Sequence, residues 1–228
     1  MMITIRVLQV PEVMPEAYWN HFLSQVSAER RTQASRFVRQ ADAYRSVLGE
    51  ILTRVTLSRL TGLRPAELSF TRNPYGKPSL SQHSDVQFNV SHSGDWIALI
   101  SGGTDELGVD VEKIAPIDMQ IAERFFSPTE SQFLSATPDD RRLNTFYRLW
   151  TLKESYIKAV GMGLSIPLDS FAILPDEGGV WYCEQAGAYR FLSQRLDDGH
   201  MLAACSAGGE LPSQPKIVTL EGLYTELM

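Results

Sequence analysis

A chain of 228 residues can build one large domain or two of about a hundred residues each. Its 43% hydrophobic and 21% charged residues are the proportions of a globular protein, not of a disordered or fibrous one. A net charge of −6 speaks against a general nucleic-acid binder, no apolar run approaches a membrane span, and Met1–Val7 lacks the basic start and apolar core of a signal peptide. A cytoplasmic protein with no membrane and no nucleic-acid partner is therefore expected, and a monomer. Cys183 and Cys205 fit no metal spacing and read as reduced packing residues.

In chain order, Ile3–Val10 alternates as a strand. From Ala28 to Leu60, apolar residues at Ala34, Phe37, Ala41, Tyr44, Leu48, Ile51, Leu52 and Val55 recur at a helical period that breaks near Gln40. Asp42 suits the start of the second helix, and Gly62 with Pro65 ends it. Between Ala28 and Arg64, eight arginines (30, 31, 36, 39, 45, 54, 59 and 64) face three acids, a local excess fit for an anionic ligand or an acidic partner. Asn73-Pro-Tyr-Gly-Lys-Pro78 must be a loop. Val86–Val90 and Trp96–Ile100 read as paired strands around a Ser91–Asp95 turn, and Ser101-Gly-Gly-Thr104 is the best boundary.

A second round follows: a strand at Leu107–Glu112, helices at Met119–Phe126 and from Pro128, and a long helix from Asp139 to Val160 stopped by Gly161 and Gly163. Strands near Phe171–Leu174, Val180–Glu184, Tyr189–Ser193 and His200–Ser206 complete it. Strand, long helix, then strands occurs twice. The expectation is an α+β protein of two similar halves, residues 1–104 and 105–228, although no sequence repeat is evident.

Chemistry concentrates at two places. On a strand, Asp110 and Glu112 share a face while Val109 and Val111 point the other way. On a helix, Trp150, Glu154 and Lys158 recur every four residues on one face, with Lys153 beside them. Asp110, Glu112 and Glu154 together offer three oxygen ligands for a hard divalent cation, and the lysines suit a phosphorylated ligand. Trp150 reads as packing. There is no Gly-x-Ser-x-Gly, no Walker loop and no His-x-x-x-His pair, and Gly161-Met-Gly163 ends a helix where a dinucleotide fingerprint would begin one.

Several stretches together resemble one family. Phe88-Asn-Val-Ser-His-Ser-Gly-Asp95, Gly108-Val-Asp-Val-Glu-Lys113 and Leu149-Trp-Thr-Leu-Lys-Glu-Ser-Tyr-Ile-Lys158, continuing to Ser165, look like the signature motifs of the Sfp-type 4′-phosphopantetheinyl transferases. Arg124-Phe-Phe-Ser127, Pro167-Leu-Asp-Ser-Phe171 and Ala43-Tyr-Arg-Ser-Val-Leu-Gly49 extend the likeness, which covers residues 1–208. The resemblance implies two α/β halves in pseudo-twofold arrangement with coenzyme A in the cleft between them. It implies Mg²⁺, or Mn²⁺ in its place, on Asp110, Glu112 and Glu154, and transfer of 4′-phosphopantetheine from coenzyme A to a serine of an acyl or peptidyl carrier protein. Adenosine 3′,5′-bisphosphate leaves.

By the same resemblance, Lys158 and Lys153 neutralise the pyrophosphate, while Lys77, Ser91, His92, Arg45, Ser46 and Arg30 attend the nucleotide and its 3′-phosphate. Asp110, Glu154 and Lys158 form the catalytic set, the serine proton going to Glu154 or to a metal-bound water. Family members often place lysines near the first helix; here Arg30 keeps a charge but Gln33 does not. Two alternatives stay open: a different metal-dependent phosphotransferase on another pyrophosphate donor, and a coenzyme A- or carrier-binding protein without turnover.

Overall fold

A computed structural model describes residues 1–228 of the chain. The first half comprises β1 (Thr4–Gln9), α1 (Glu16–Gln25), α2 (Ala28–Ala34), α3 (Gln40–Thr61), β2 (Phe70–Arg72), β3 (Pro78–Leu80), β4 (Gln87–Ser93) and β5 (Trp96–Gly102). The second comprises β6 (Leu107–Lys113), α4 (Gln120–Phe125), α5 (Pro128–Ala136), α6 (Asp139–Val160), β7 (Ile173–Pro175), β8 (Trp181–Cys183), β9 (Tyr189–Asp197) and β10 (His200–Ala207). A tail of β11 (Lys216–Val218) and α7 (Leu220–Leu227) closes the chain. The order β11-β1-β5-β4 makes one sheet, β6-β10-β9 another, and β2-β3 and β7-β8 are small hairpins.

Each half sets a 22-residue helix, α3 or α6, on its sheet. Both helices stop where a glycine takes up the left-handed conformation: Gly62 at φ 75° donates its N–H to Ser58, and Gly161 at φ 76° donates to Ile157. No other residue type adopts that backbone so cheaply. The architecture is α+β, as the alternation of elements implied.

All seven residues of β5 are buried because its two faces serve two cores. Ile97 and Leu99 join Leu8, Leu48, Leu52 and Val55 beneath α3. Trp96, Ala98 and Ile100 join Ile5, Val7, Val109, Val111, Leu202 and Ala204, so that the two sheets meet face to face. Side chains of this kind contribute roughly 1.5–3 kcal/mol each when fully buried, which makes the contact between halves a core and not a hinge.

The structure departs from the sequence reading in three places. The second half does not run to residue 228: β11 pairs in parallel with β1, and Arg6 pairs with Glu226 of α7 at 2.8 Å. The tail belongs to the first half because β1 would otherwise leave an unpaired edge. The Ser91–Asp95 turn is also shorter than its polarity suggests. Pairing with β5 continues to Ser93 opposite Trp96, so Ser91 and His92 lie within the strand. Third, α1 is an element the sequence reading did not assign; its Tyr18, Trp19, Phe22 and Leu23 recur at helical spacing and pack against the α3 core, with Phe22 buried.

On β6, Gly108 faces α6. A Cβ there would lie 1.9 Å from the Ser155 carbonyl oxygen and 2.6 Å from the Ala159 nitrogen, both backbone atoms of the helix. The helix therefore rests on β6 at a distance only glycine permits. Gly108→Ala should destabilise the fold toward the upper end of the ~1–3 kcal/mol that overpacking costs, because backbone has to move. The urea midpoint would show the loss, and an unchanged midpoint would mean that α6 is free to ride outward.

Candidate active site

The carboxylates sit where strand alternation puts them. Val109 and Val111 enter the inter-sheet core, which turns Asp110 and Glu112 to the opposite face, toward α6. Asp110 is 1% exposed. Its Oδ1 accepts from Ser91 Oγ at 2.8 Å and from Lys158 Nζ at 2.6 Å. Lys158 Nζ also donates to Ser91 Oγ at 2.9 Å, so α6, β6 and β4 meet in a triangle. Glu112 Oε2 accepts from Ser93 Oγ at 2.7 Å.

Strand β4 supplies this seam with alternate residues. Asn89 Oδ1 accepts from the Val109 N–H at 3.0 Å, Ser91 reaches Asp110, and Ser93 Oγ both donates to Glu112 and accepts from the Lys113 N–H at 3.1 Å. No backbone ladder joins β4 to β6; side chains take its place. On the other face of β4, Phe88 and Val90 pack into the first core and His92 opens into a cleft.

Asp110 Oδ2 is buried with no hydrogen-bond partner. A carboxylate oxygen in that position costs free energy unless a cation or donor meets it. Burial pushes the Asp110 carboxyl above its usual range, with Lys158 and Ser91 pulling the other way. Burial also raises Glu112 and Glu154, and the Asp110 charge raises both further. The charges of Glu112 and Glu154 are thus each disfavoured by that of Asp110. The three carboxylates are not gathered into a finished cage, since no three acidic, histidine or cysteine side chains are close enough to hold a metal as they stand. The orphaned oxygen, the mutual repulsion and an all-oxygen donor set nevertheless fit a hard divalent cation.

Beside this site lies a cleft of about 1220 Å³, walled by residues between Ser27 and His92. Five arginines line it: Arg30, Arg36, Arg45, Arg54 and Arg72. Arg30 donates to Glu50 at 2.8 Å, to Gln33 and to Ser46 Oγ at 3.0 Å; Arg54 donates to the same Glu50. Burial works against the Glu50 charge, but hydrogen bonds from Arg30 and Arg54 hold its carboxyl below the usual range. Arg45 bonds Asp42 and the Gly94 carbonyl, the latter at 2.6 Å. His92 is pushed below the usual histidine value, first by its surroundings and then by the charges of Arg45, Lys158 and Arg30. The cleft is strongly cationic.

A cleft between the halves was the expectation. The larger cavity belongs to the first half alone, and the space between the halves is a smaller crevice of about 340 Å³ lined by Lys77, Asn89, Glu154, Lys158 and Gly161, among others.

Two expected ligand contacts are spent elsewhere. Lys153 does not face the crevice: it is 1% exposed, and its Nζ donates to both oxygens of Glu130, at 2.8 and 2.6 Å, and to the Phe171 carbonyl. A residue adjacent to Glu154 points about 100° away around a helix, here into the protein. Lys77 Nζ donates to the Ala159 carbonyl at 2.6 Å and to Leu107, tying the β2–β3 loop to the end of α6 instead of standing in the arginine cleft. Arg30, Arg45, Ser46 and His92 do share that cleft, whereas Ser91 turns from it toward Asp110. Sequence reasoning gave no site role to Asn89, Ser93 or Glu50. Asn89-x-Ser91-x-Ser93 was the available signal, a strand with one polar face. Arg36 and Arg54 were visible only as members of a basic run, and Arg72 lies outside it.

Comparison with known proteins identifies the family. Residues 106–206 match the model of the 4′-phosphopantetheinyl transferase superfamily, and residues 14–104 match that of the 4′-phosphopantetheinyl transferase N-terminal region. The chain is 37% identical over 205 residues to the 4′-phosphopantetheinyl transferase Sfp of Bacillus subtilis strain 168, covering 89% of this chain and 91% of that one. It is 38% identical over 207 residues to the transferase ffp of Bacillus subtilis, covering 90% and 92%. It is 38% identical over 172 residues to the transferase gsp of Aneurinibacillus migulanus, covering 75% and 71%. The chain belongs to the Sfp-type 4′-phosphopantetheinyl transferases.

Proposed function

We propose that this enzyme moves 4′-phosphopantetheine from coenzyme A to a serine hydroxyl of an acyl or peptidyl carrier protein, with Mg²⁺ held by Asp110, Glu112 and Glu154. The observation that carries the metal reading is the buried, unpartnered Asp110 Oδ2 beside two further carboxylates. Mn²⁺ is expected to substitute. A bound Mg²⁺ would offset pyrophosphate charge and polarise the phosphoryl group.

The remaining chemistry falls to the chain. The arginine cleft takes the nucleotide with its 3′-phosphate, and Arg30, Arg45, Ser46 and His92 are its polar wall. Lys158 has three N–H donors, two of them engaged on Ser91 and Asp110, and brings positive charge to the crevice where the pyrophosphate lies. Glu154 lines the same crevice and takes the serine proton. The serine oxygen forms its bond to the β-phosphorus; the bond from that phosphorus to the bridging oxygen breaks. Its electron pair leaves with adenosine 3′,5′-bisphosphate.

The first half, 1–104 with the tail, serves the nucleotide, and the second, from residue 105, supplies the carboxylates and the catalytic helix. A monomer suffices, because one chain supplies both cleft and carboxylates. Two buried free cysteines suit the reducing cytoplasm. No helix is long and apolar enough to cross a membrane.

Intact-mass analysis of apo carrier proteins incubated with coenzyme A and Mg²⁺ tests the reaction. A gain of one phosphopantetheine per carrier, with no nucleoside triphosphate present, is expected; no gain on peptidyl, aryl or fatty-acid carriers would overturn the reading. Chelation should silence the enzyme, and Asp110→Ala should suppress transfer by at least ~100-fold while the protein stays folded, the scale set by loss of a preorganised electrostatic group. Full activity of Asp110→Ala in metal-free buffer would remove the metal site.

Glu154→Gln should keep measurable coenzyme A binding yet lose transfer, since an amide offers an oxygen but accepts no proton in this range. Lys158→Ala should lose transfer as well, with Lys158→Arg recovering part of it through charge. Single-turnover rates separate these outcomes; transfer by Glu154→Gln at the wild-type rate would assign the proton to another acceptor.

The depressed His92 pKa carries a pH dependence. Burial and the neighbouring cations disfavour the protonated form of free His92, and an anionic phosphate beside it favours that form, so binding takes up a proton. The affinity advantage of wild type over His92→Gln should therefore grow as pH falls from 8 toward 6. Dephospho-coenzyme A should show less of it. Equal slopes for wild type and His92→Gln would place His92 away from the phosphate.

A further inference from the structure

The turn between β4 and β5 is a junction of three contacts. Ser93 holds Glu112 of the carboxylate site. The Gly94 carbonyl accepts the 2.6 Å hydrogen bond from Arg45 in the cationic cleft. The next residue reaches into the second half: the Asp95 N–H donates to His200 Nε2 at 3.4 Å. His200 is 3% exposed and lies on β10, 105 residues further along the chain.

The hydrogen bonds assign the His200 tautomer. An N–H donor meets Nε2, so Nε2 accepts and the ring proton sits on Nδ1. Nδ1 faces the Asp197 carboxylate at 2.9 and 3.1 Å. Asp197 is itself braced by Trp96 Nε1 at 2.7 Å and by the Gly199 N–H at 2.8 Å. The ring is thus oriented from behind and presents one lone pair to the turn. The fit is close: Gly94 stands at φ 53°, and a Cβ there would lie 2.3 Å from His200 Nε2. Such an oriented Asp–His pair, buried against a turn that carries a ligand-facing arginine, does more than fill space.

We propose that His200, oriented by Asp197, is a positioning residue for coenzyme A binding: it holds the β4–β5 turn so that the Gly94 carbonyl aims Arg45 into the cleft. The inference rests on the reading that the nucleotide of coenzyme A, with its 3′-phosphate, occupies the arginine cleft. It gives the second half a hand in the affinity of a cleft whose walls all come from the first.

The test is calorimetric titration of the full chain with coenzyme A and Mg²⁺, well below the melting temperature. His200→Phe removes the acceptor at similar volume and should weaken binding about threefold to tenfold, the weight of one neutral hydrogen bond. His200→Gln can accept from Asp95 and donate to Asp197 together, and should stay within about twofold of wild type. Arg45→Ala should weaken binding by about tenfold or more. Adding His200→Phe to Arg45→Ala should then cost little further, because both act through the same arginine.

If Arg45→Ala leaves affinity unchanged, the placement of the nucleotide and its 3′-phosphate is wrong and the proposal goes with it. If Arg45→Ala weakens binding but His200→Phe has no effect, or a fully additive one, the positioning role alone is overturned. Should His200→Phe fail to fold, Asp197→Ala at the half-exposed edge of the pair carries the same cycle with the same expected non-additivity.

Discussion

The salt bridge between Asp110 and Lys158 is the contact on which the rest of the site depends. It puts a carboxylate from β6 and an ammonium from α6 at 2.6 Å, with Ser91 of β4 bonded to both. A buried carboxylate is costly to keep, and each partner here lowers that cost while leaving Oδ2 unmet. The arrangement leaves one buried carboxylate oxygen without a partner. Stability and function pull on the same two oxygens.

That contact is possible only because the two halves are held in fixed relation. Sheet meets sheet through Ile5, Val7, Ala98, Ile100, Val109 and Val111, and α6 sits close on β6 over Gly108. The polar side chains of β4 then cross the seam where no backbone ladder exists. Apolar packing supplies the rigidity, and the short hydrogen bonds set register.

Two ion-pair systems flank the carboxylates, one in the wall of the cleft and one buried behind α6. Glu50 gathers Arg30 and Arg54 and so sets the shape of the cationic cleft. Glu130 takes Lys153, the Ile173 N–H and the Ser127 cap, joining α5 and α6 to β7. Lys153 also lies 4.1 Å from the centre of the Phe171 ring. Breaking the Lys153–Glu130 pair would leave a buried charge uncompensated, a cost of several kcal/mol that has nothing to do with chemistry at the crevice.

Local signals in the sequence determined the α+β alternation, the long helix over Asp139–Val160 with its glycine stop, the strand faces of Asp110 and Glu112, and the family. Periodicity and capping act over a few residues, and motifs are local by construction. What tertiary structure alone decided are contacts between distant segments. Lys153 and Lys158 look alike in sequence, but helix rotation buries one and opens the other. Lys77 is expected at the nucleotide, but the Ala159 carbonyl at the end of α6 accepts its hydrogen bond. The tail gives no sign that it completes the first sheet, because an edge is visible only once β1 is in place. His200 is an ordinary strand residue until the β4–β5 turn folds against it. A side chain's type is written in the chain, whereas its partner is set by which elements pack together.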